Sequence, residues 1–149
     1  MGGSFIAAGF DHHLYTFSVR SRLMEKVMEA KSSFIEVLKD RTKQLSIQVI
    51  QLYGQLNKTD EGRIMGRQLL RSASSAAANY RATCRARSKA EFYAKLSIVI
   101  EEMDETLFWL ELLEESGIHQ SAGLKTIKDE ADSLVRILSK ARKTASINK

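Results

Sequence analysis

The chain contains no proline and only one cysteine among its 149 residues. Sandwiches and barrels normally use proline in turns and edge strands, whereas a helix bundle needs none. A lone cysteine, Cys84, cannot form a disulfide within the chain, which favours a reducing compartment. No apolar run reaches the length of a membrane span, and the amino terminus lacks the basic start of a secretory signal. These absences favour an all-α, bacterial-type cytoplasmic protein with no membrane partner.

Four segments of the chain carry the apolar spacing of amphipathic helices. The first begins near an N-cap at Asp40, and the second runs from about Asp60 to Cys84. The third starts at a capping box formed by Ser88 and Glu91, ends at a left-handed Gly117, and is followed by a fourth from near Ser121. The predicted core stripes are Leu45, Val49, Leu52 and Leu56; Met65, Leu69, Ala76, Tyr80 and Thr83; Phe92, Leu96, Val99, Met103, Leu107 and Leu110; Leu124, Ile127, Ala131, Leu134, Val135 and Leu138.

Short connections between four such helices predict one antiparallel up-down-up-down four-helix bundle. We assign the bundle to residues 34–142 and a basic tail to residues 143–149. Residues 1–33 show no sustained period apart from a short helix-like stretch at 23–30. They are predicted to be an amino-terminal extension that could be flexible.

The chain lacks the residue patterns of a catalytic or metal site. Metal centres in four-helix bundles use Glu-x-x-His pairs, but the three histidines, His12, His13 and His119, fall outside the predicted bundle helices. Cys84 has no helical histidine to act as a base, so a buried small residue is the simpler interpretation. No phosphate-binding glycine loop or nucleophile elbow occurs. We therefore predict that the protein is not an enzyme and has no metal and no cofactor.

The most informative pattern is a stripe of arginines on the second helix. On a helical wheel, the arginines at 63, 67, 71, 81 and 85 fall within about 80° of one another, nearly opposite the apolar stripe. Seven basic and two acidic residues lie between positions 60 and 90, within a chain whose net charge is +5. The guanidinium group suits recognition of phosphates, so this face is a candidate site for RNA or DNA. The candidate residues are Arg63, Arg67, Arg71, Arg81, Arg85, Arg87 and Lys89.

The same arginines have a structural interpretation. The third helix carries eight acidic residues against two lysines, so the arginines could pair with carboxylates of a neighbouring helix or subunit. The protein would then be an interaction scaffold whose arginines form salt bridges between subunits. A row of small residues beside the arginines, at Gly66, Ala73, Ala77 and Cys84, also predicts close approach of another helix. Gly62 and Gly66 suggest tight packing, and a frayed first turn is the alternative.

The third helix carries apolar residues outside its core stripe. Such residues can cover an edge of the bundle or pack beneath the amino-terminal extension. Exposed apolar patches of this kind more often mark association, so we predict a homo-oligomeric interface. The candidate interface residues are Ile98, Phe108, Trp109 and Leu112.

Residues 66–81, 85–92 and 101–112 together resemble the four-helix-bundle proteins encoded in intervening sequences of 23S ribosomal RNA. The resemblance covers roughly residues 38–138 and leaves residues 1–33 without a counterpart. Many members have Ile-Pro-Ala-Asn in the middle of the second helix. This chain has Ala76-Ala77-Ala78-Asn79 there, so a straighter helix is expected.

The resemblance implies a ring assembly, commonly a pentamer. It also implies a distant kinship with the accessory bundle proteins of diversity-generating retroelements, which bind nucleic acid and act with a reverse transcriptase. Carried over by position, five arginines match basic positions of the family, and no catalytic residue is carried over. The matching residues are Arg67, Arg71, Arg81, Arg85 and Arg87.

Overall fold

Four helices make up the part of the chain that the structure describes. The structure is a computed structural model that describes the backbone of residues 12–147 and the side chains of residues 20–145. No strand occurs between residues 12 and 147, which confirms the all-α class. The helices are α1 (His12–Gln55), α2 (Asp60–Thr83), α3 (Lys89–Glu115) and α4 (Ala122–Ile147).

The chain divides into two compact units, Met1–Glu36 and Val37–Lys149. The first unit contributes the described residues 12–36, which are helical. The second unit contains the remainder of α1 and all of α2, α3 and α4. Within the described residues, no helix is both long enough and apolar enough to cross a membrane.

The second unit has one apolar core to which all four helices contribute. Most residues of the predicted stripes are buried there, and Tyr53, Met65, Phe92, Leu107 and Val135 pack around them partly buried. The buried core residues are Leu38, Leu45, Val49, Leu52, Leu56, Leu69, Ala73, Ala76, Tyr80, Leu96, Val99, Met103, Leu110, Leu113, Leu124, Ile127, Ala131, Leu134 and Leu138.

Polar contacts join the helices around this core. The Ser46 hydroxyl on α1 donates to the carbonyl of Ala73 on α2 at 2.9 Å. Also on α1, the Arg41 guanidinium donates to both carboxylate oxygens of Glu130 on α4, at 2.7 and 2.9 Å. On α3 and α4, Lys128 pairs with Glu114, and the Arg142 guanidinium lies 4.5 Å from the ring centroid of Tyr93.

The order of these contacts is consistent with the predicted antiparallel up-down arrangement. Tyr93, early in α3, meets Arg142, late in α4. Glu114, late in α3, meets Lys128, early in α4. The start of α3 therefore lies beside the end of α4, and the end of α3 lies beside the start of α4, as in an antiparallel pair. Of the small-residue row, Gly66 meets α1, because a Cβ there would lie 2.5 Å from Tyr53 Cδ2.

The predicted start of the first helix was wrong. Asp40 lies in the interior of α1, which begins at His12, so residues 12–33 are helical. The physical reason is visible in the sequence, since no glycine or proline interrupts residues 10–53. The heptad positions of Leu38, Leu45 and Leu52 lead upstream through Lys31 to the apolar Met24. The division at residue 33 stays a prediction, and residues 1–11 lie outside the described part.

The predicted helix ends are largely confirmed. Ser88 caps α3, with its Oγ accepting from the amide of Glu91 at 3.1 Å. The Glu91 carboxylate accepts from the amide of Arg87 at 2.8 Å, one residue earlier than a standard capping box. Gly117 has a φ of +72°, and Ser121 Oγ accepts from the amide of Leu124 at 3.1 Å. At the carboxyl end, α4 continues to Ile147, so the predicted basic tail is helical as far as it is described.

Candidate nucleic-acid interface

The arginine stripe lies on the exposed side of α2 and in the turn that follows it. Gly62, Leu69, Ala76 and Tyr80 are buried on the opposite side. The arginines at 63, 67, 71 and 81 are exposed. The helix ends at Thr83, so Arg85 and Arg87 lie in the connection, and Lys89 is the first residue of α3. All seven predicted basic residues are therefore exposed, but they have different surroundings.

Arg71 is held by carboxylates of α3. Its Nη2 donates to Glu105 Oε1 at 2.5 Å, and its Nη1 lies 3.9 Å from Glu102 Oε2. That Glu102 oxygen is buried and has no hydrogen bond within the described side chains. The hydrogen bond and charge of Glu105 raise the pKa of Arg71. Arg71 therefore forms a salt bridge with a neighbouring helix of the same chain. The alternative interpretation predicted such salt bridges for the whole stripe.

The other arginines of the stripe make local contacts or none. Arg63 lies 3.5 Å from Asp60, and Arg67 Nε donates to the carbonyl of Arg63 at 3.2 Å. Arg87 is 3.6 Å from Glu91, with a side chain that is 91% exposed. Within the described residues, no hydrogen bond or ion pair involves the guanidinium of Arg81 or Arg85. These two groups retain their full capacity to bind an anion.

Beneath Arg71, a buried hydroxyl pair joins α2 to α3. Ser72 Oγ and Thr106 Oγ1 are 3.0 Å apart, and each also lies close to a carbonyl of its own helix. Sequence reasoning did not identify this pair, although both residues fall on core faces of their helices. Because both hydroxyls have partners, they can be buried without the cost of an unsatisfied polar group.

Trp109 takes part in the same cluster. Its indole Nε1 donates to Glu105 Oε1 at 3.1 Å, the oxygen that also accepts from Arg71. This indole hydrogen bond is the main cause that lowers the pKa of Glu105, followed by the hydrogen bond and charge of Arg71. The Trp109 ring is half-buried and meets Phe108 edge-to-face, with centroids 5.0 Å apart.

The fluorescence of Trp109 should therefore report the titration of Glu105. Trp109 is the only tryptophan of the chain. As the pH falls, protonation of Glu105 weakens the indole hydrogen bond, and we expect an emission change with a midpoint below the ordinary glutamate pKa. Stability contributed by Glu105 is present above its unfolded-state pKa and is lost as the pH falls through the folded-state pKa. Emission spectra from about pH 6 to pH 3 would measure the midpoint.

Substitution at Arg71 provides the check. In Arg71→Gln, the charge and the guanidinium hydrogen bond are gone, so the midpoint should move upward towards the ordinary value. Glu115→Gln changes an exposed carboxylate of the same helix and should leave the midpoint unchanged. An unaltered midpoint in Arg71→Gln would contradict the role of this arginine.

The predicted oligomer interface residues are unequally exposed. Ile98 is 45% exposed and Phe108 is 51% exposed, whereas Trp109 and Leu112 are half-buried. Ile98 and Phe108 lie within about 80° of each other on the helical wheel. They are two exposed apolar side chains on one side of α3, about 15 Å apart along the helix axis, and we refer to them together as the patch of Ile98 and Phe108. Trp109 meets the Phe108 ring and hydrogen-bonds to Glu105 of the Arg71 cluster.

The described residues contain no group of three or more histidine, cysteine or carboxylate side chains that could hold a metal. His119 lies after α3, with its Nε2 3.1 Å from Ser121 Oγ, and Cys84 is half-buried at the C-cap of α2. A groove between α1 and α4 is lined by polar residues of both helices. Its lining includes Arg41 and Glu130, whose charges already pair with each other.

Comparison with known proteins gives one family and one fold. The model of the 23S rRNA-intervening sequence protein family matches residues 35–140. A solved structure of a protein with unknown function from the S23 ribosomal protein family of Bacteroides thetaiotaomicron is 30% identical, with a TM-score of 0.66. The similarity covers 71% of this chain and 98% of that one. No curated protein matches the chain.

Proposed function

The chain belongs to the 23S rRNA-intervening sequence protein family, and we propose that it is a non-enzymatic, homo-oligomeric bundle that binds RNA or DNA through its arginine face. The observation that carries the proposal is the state of Arg81 and Arg85, whose exposed guanidinium groups have no carboxylate partner within the described residues. Arg87 adds a third exposed guanidinium in the same stretch of chain. Three such groups close in sequence suit the phosphates of a nucleic-acid backbone.

The residues of this face favour backbone or shape recognition over reading of individual bases. Base reading on single strands relies on aromatic side chains on which bases stack. The exposed residues that accompany Arg81, Arg85 and Arg87 are small or polar, including Ala78 and Ser88. Affinity should therefore depend mainly on phosphate contacts and vary little with sequence.

Binding across a salt series tests the proposal. Fluorescence anisotropy with a labelled structured RNA and a DNA duplex of matched sequence would give the affinity at several salt concentrations. We expect log K to fall with log salt at a slope of about −0.9 for each phosphate neutralised on duplex DNA. Absence of binding to both ligands at low salt would contradict a nucleic-acid function for this face.

The proposed assembly uses the patch of Ile98 and Phe108. Each half-exposed apolar side chain gains about 1 kcal/mol when it becomes fully buried. We expect Ile98→Ser together with Phe108→Ser to weaken self-association about tenfold or more, because 1.4 kcal/mol corresponds to a factor of ten. Sedimentation velocity at micromolar protein would measure the change. Lys125→Ser, an exposed change on α4, serves as the control. An unchanged mass in the double variant would exclude this patch as the interface.

The family resemblance extends the proposal to a pentameric ring with a reverse transcriptase as a candidate partner, and the proposed location is the cytoplasm. A ring would multiply the arginine face by the number of subunits, which raises avidity for a polyanion without any new contact. The location rests on the cysteine content of the chain, which is typical of reducing compartments.

The second candidate function is an interaction scaffold. It is favoured by a row of exposed carboxylates on α3, at Glu101, Asp104, Glu111 and Glu115. These groups could accept the arginines of a neighbouring subunit, as Glu105 accepts Arg71 within the chain. Under this alternative, charge reversal at Arg81 and Arg85 would dissociate the oligomer instead of abolishing nucleic-acid binding.

A further inference from the structure

The helical residues of the first unit carry an apolar face that no comparison assigns to a function. We call the described residues 12–36 the arm. Five of its large apolar side chains are between 49% and 67% exposed: Leu23, Met24, Val27, Met28 and Phe34. The family model begins at residue 35, so family membership does not account for these residues.

The apolar residues of the arm share one side of the helix. With Ala30 and Ile35, they fall within an arc of about 160° on a helical wheel. A helix that packs on a core buries a stripe of at least about 100°. The arc of the arm is therefore as broad as the faces that helices of globular proteins bury.

The charges of the arm argue against a lipid surface. Its other side carries three acidic residues, Glu25, Glu29 and Glu36, and two basic residues, Arg22 and Lys26. Helices that lie on anionic membranes have a polar face rich in lysine and arginine. Lys31 and Arg20 fall within the apolar arc, where their long aliphatic stems can cover apolar surface while the charges reach solvent.

We propose that the apolar face of the arm binds the arm of a second copy of this chain. Two identical amphipathic helices bring equal apolar areas into contact and form a symmetric interface. Full burial of five such side chains on each copy removes on the order of 1,000 Å² of surface, about the smallest area expected of a biological interface and typical of a weak one. This contact is separate from the patch of Ile98 and Phe108, and it holds whether or not the protein binds nucleic acid.

Paired variants on opposite sides of the arm test the proposal by sedimentation velocity. Val27→Asn with Phe34→Asn changes the apolar face, and Lys26→Asn with Ser33→Asn changes the polar face. We expect the apolar-face variant to associate at least tenfold more weakly and the polar-face variant to keep the wild-type mass. Equal masses for the two variants would overturn the proposal.

The same comparison in an Ile98→Ser, Phe108→Ser background separates the arm contact from the proposed bundle interface. There, a dimer that depends on the apolar face is expected, and a monomer would overturn the arm contact. Disulfide cross-linking gives a check that does not depend on variant folding. With Cys84→Ser, Val27→Cys should form a covalent dimer on oxidation and Glu29→Cys should not. Equal cross-linking of both would also overturn the proposal.

Vesicles of phosphatidylserine and phosphatidylcholine test the other occupant. We expect the wild-type chain to stay in the supernatant after centrifugation with them. The proposal would be overturned if the wild-type chain is monomeric in solution, sediments with the vesicles, and loses this sedimentation in the Val27→Asn, Phe34→Asn variant. That result would assign the face to a lipid surface.

Discussion

Reversing the charge at Arg81 and Arg85 should abolish the binding of RNA and DNA at physiological salt while leaving the bundle folded. Both side chains are exposed and form no hydrogen bond or ion pair with described residues, so their replacement removes no contact of the fold. Each glutamate replaces an attraction to phosphate with a repulsion. We expect an affinity loss of at least a hundredfold and a salt slope smaller by about two, since two phosphate contacts are lost. Fluorescence anisotropy across a salt series would measure both quantities.

A matched control separates the site from the overall charge. Lys125→Glu with Lys140→Glu changes two exposed lysines of α4. Either double reversal lowers the formal net charge from +5 by four, to +1. The α4 variant should therefore lose affinity only through the weakened long-range field, and far less than the Arg81 and Arg85 variant. Equal losses would mean that net charge, not this face, determines binding. Far-UV circular dichroism would confirm that both variants remain helical.

Arg71 is a poorer choice for this experiment, although it lies on the same stripe. Its guanidinium joins α2 to Glu105 and Glu102 of α3. A glutamate at position 71 would add a third carboxylate to this cluster and leave the buried Glu102 oxygen without its nearest cation. Reversal at Arg71 should therefore weaken the contact between α2 and α3, so any loss of binding would have two causes.

The sequence predicted most of the fold because local signals and packing agree in the bundle. The periods of α2, α3 and α4 matched their buried faces. The third helix begins after its N-cap Ser88 and ends before Gly117, whose positive φ a glycine adopts without strain. The start of α1 was missed because the polar residues 31–33 interrupt its apolar spacing and Asp40 resembles an N-cap. A continuous helix tolerates both features, since neither breaks the backbone hydrogen bonds as a proline or glycine would.

Exposure of the candidate site was predictable, but its partners were not. Placing arginines opposite an apolar stripe is enough to show that they face solvent. It cannot show that Arg71 meets Glu105 while Arg81 has no carboxylate partner among residues 20–145, because that depends on how two helices are rotated against each other. The hydroxyl pair of Ser72 and Thr106 was missed for the same reason. A serine or threonine on a core face gives no signal of its partner across the interface.

The largest change in stability is expected from Gly62→Ala, which inserts a Cβ where the backbone leaves no room. Gly62 is buried in the first turn of α2, and a Cβ there would lie 2.4 Å from the carbonyl oxygen of Asn57. That oxygen belongs to the backbone, so relief requires movement of the connection between α1 and α2. Overpacking costs about 1–3 kcal/mol and occasionally more, while alanine gains at most about 1 kcal/mol in helix propensity. We expect a net loss of about 1–2 kcal/mol, which corresponds to a fall in Tm of about 2–8 °C.

Gly54→Ala is the matched control, because a Cβ at Gly54 meets nothing within 4 Å and its φ is not in the left-handed region. Only the propensity gain remains there, so this variant should be more stable than the wild type by about 0.5–1 kcal/mol. Differential scanning calorimetry of both variants would measure the opposite shifts. The sequence favoured tight packing at Gly62 over a frayed first turn, and a frayed turn would accept alanine. A Tm of Gly62→Ala equal to or above that of the wild type would therefore restore the frayed-turn interpretation and show that the connection yields to the added methyl group.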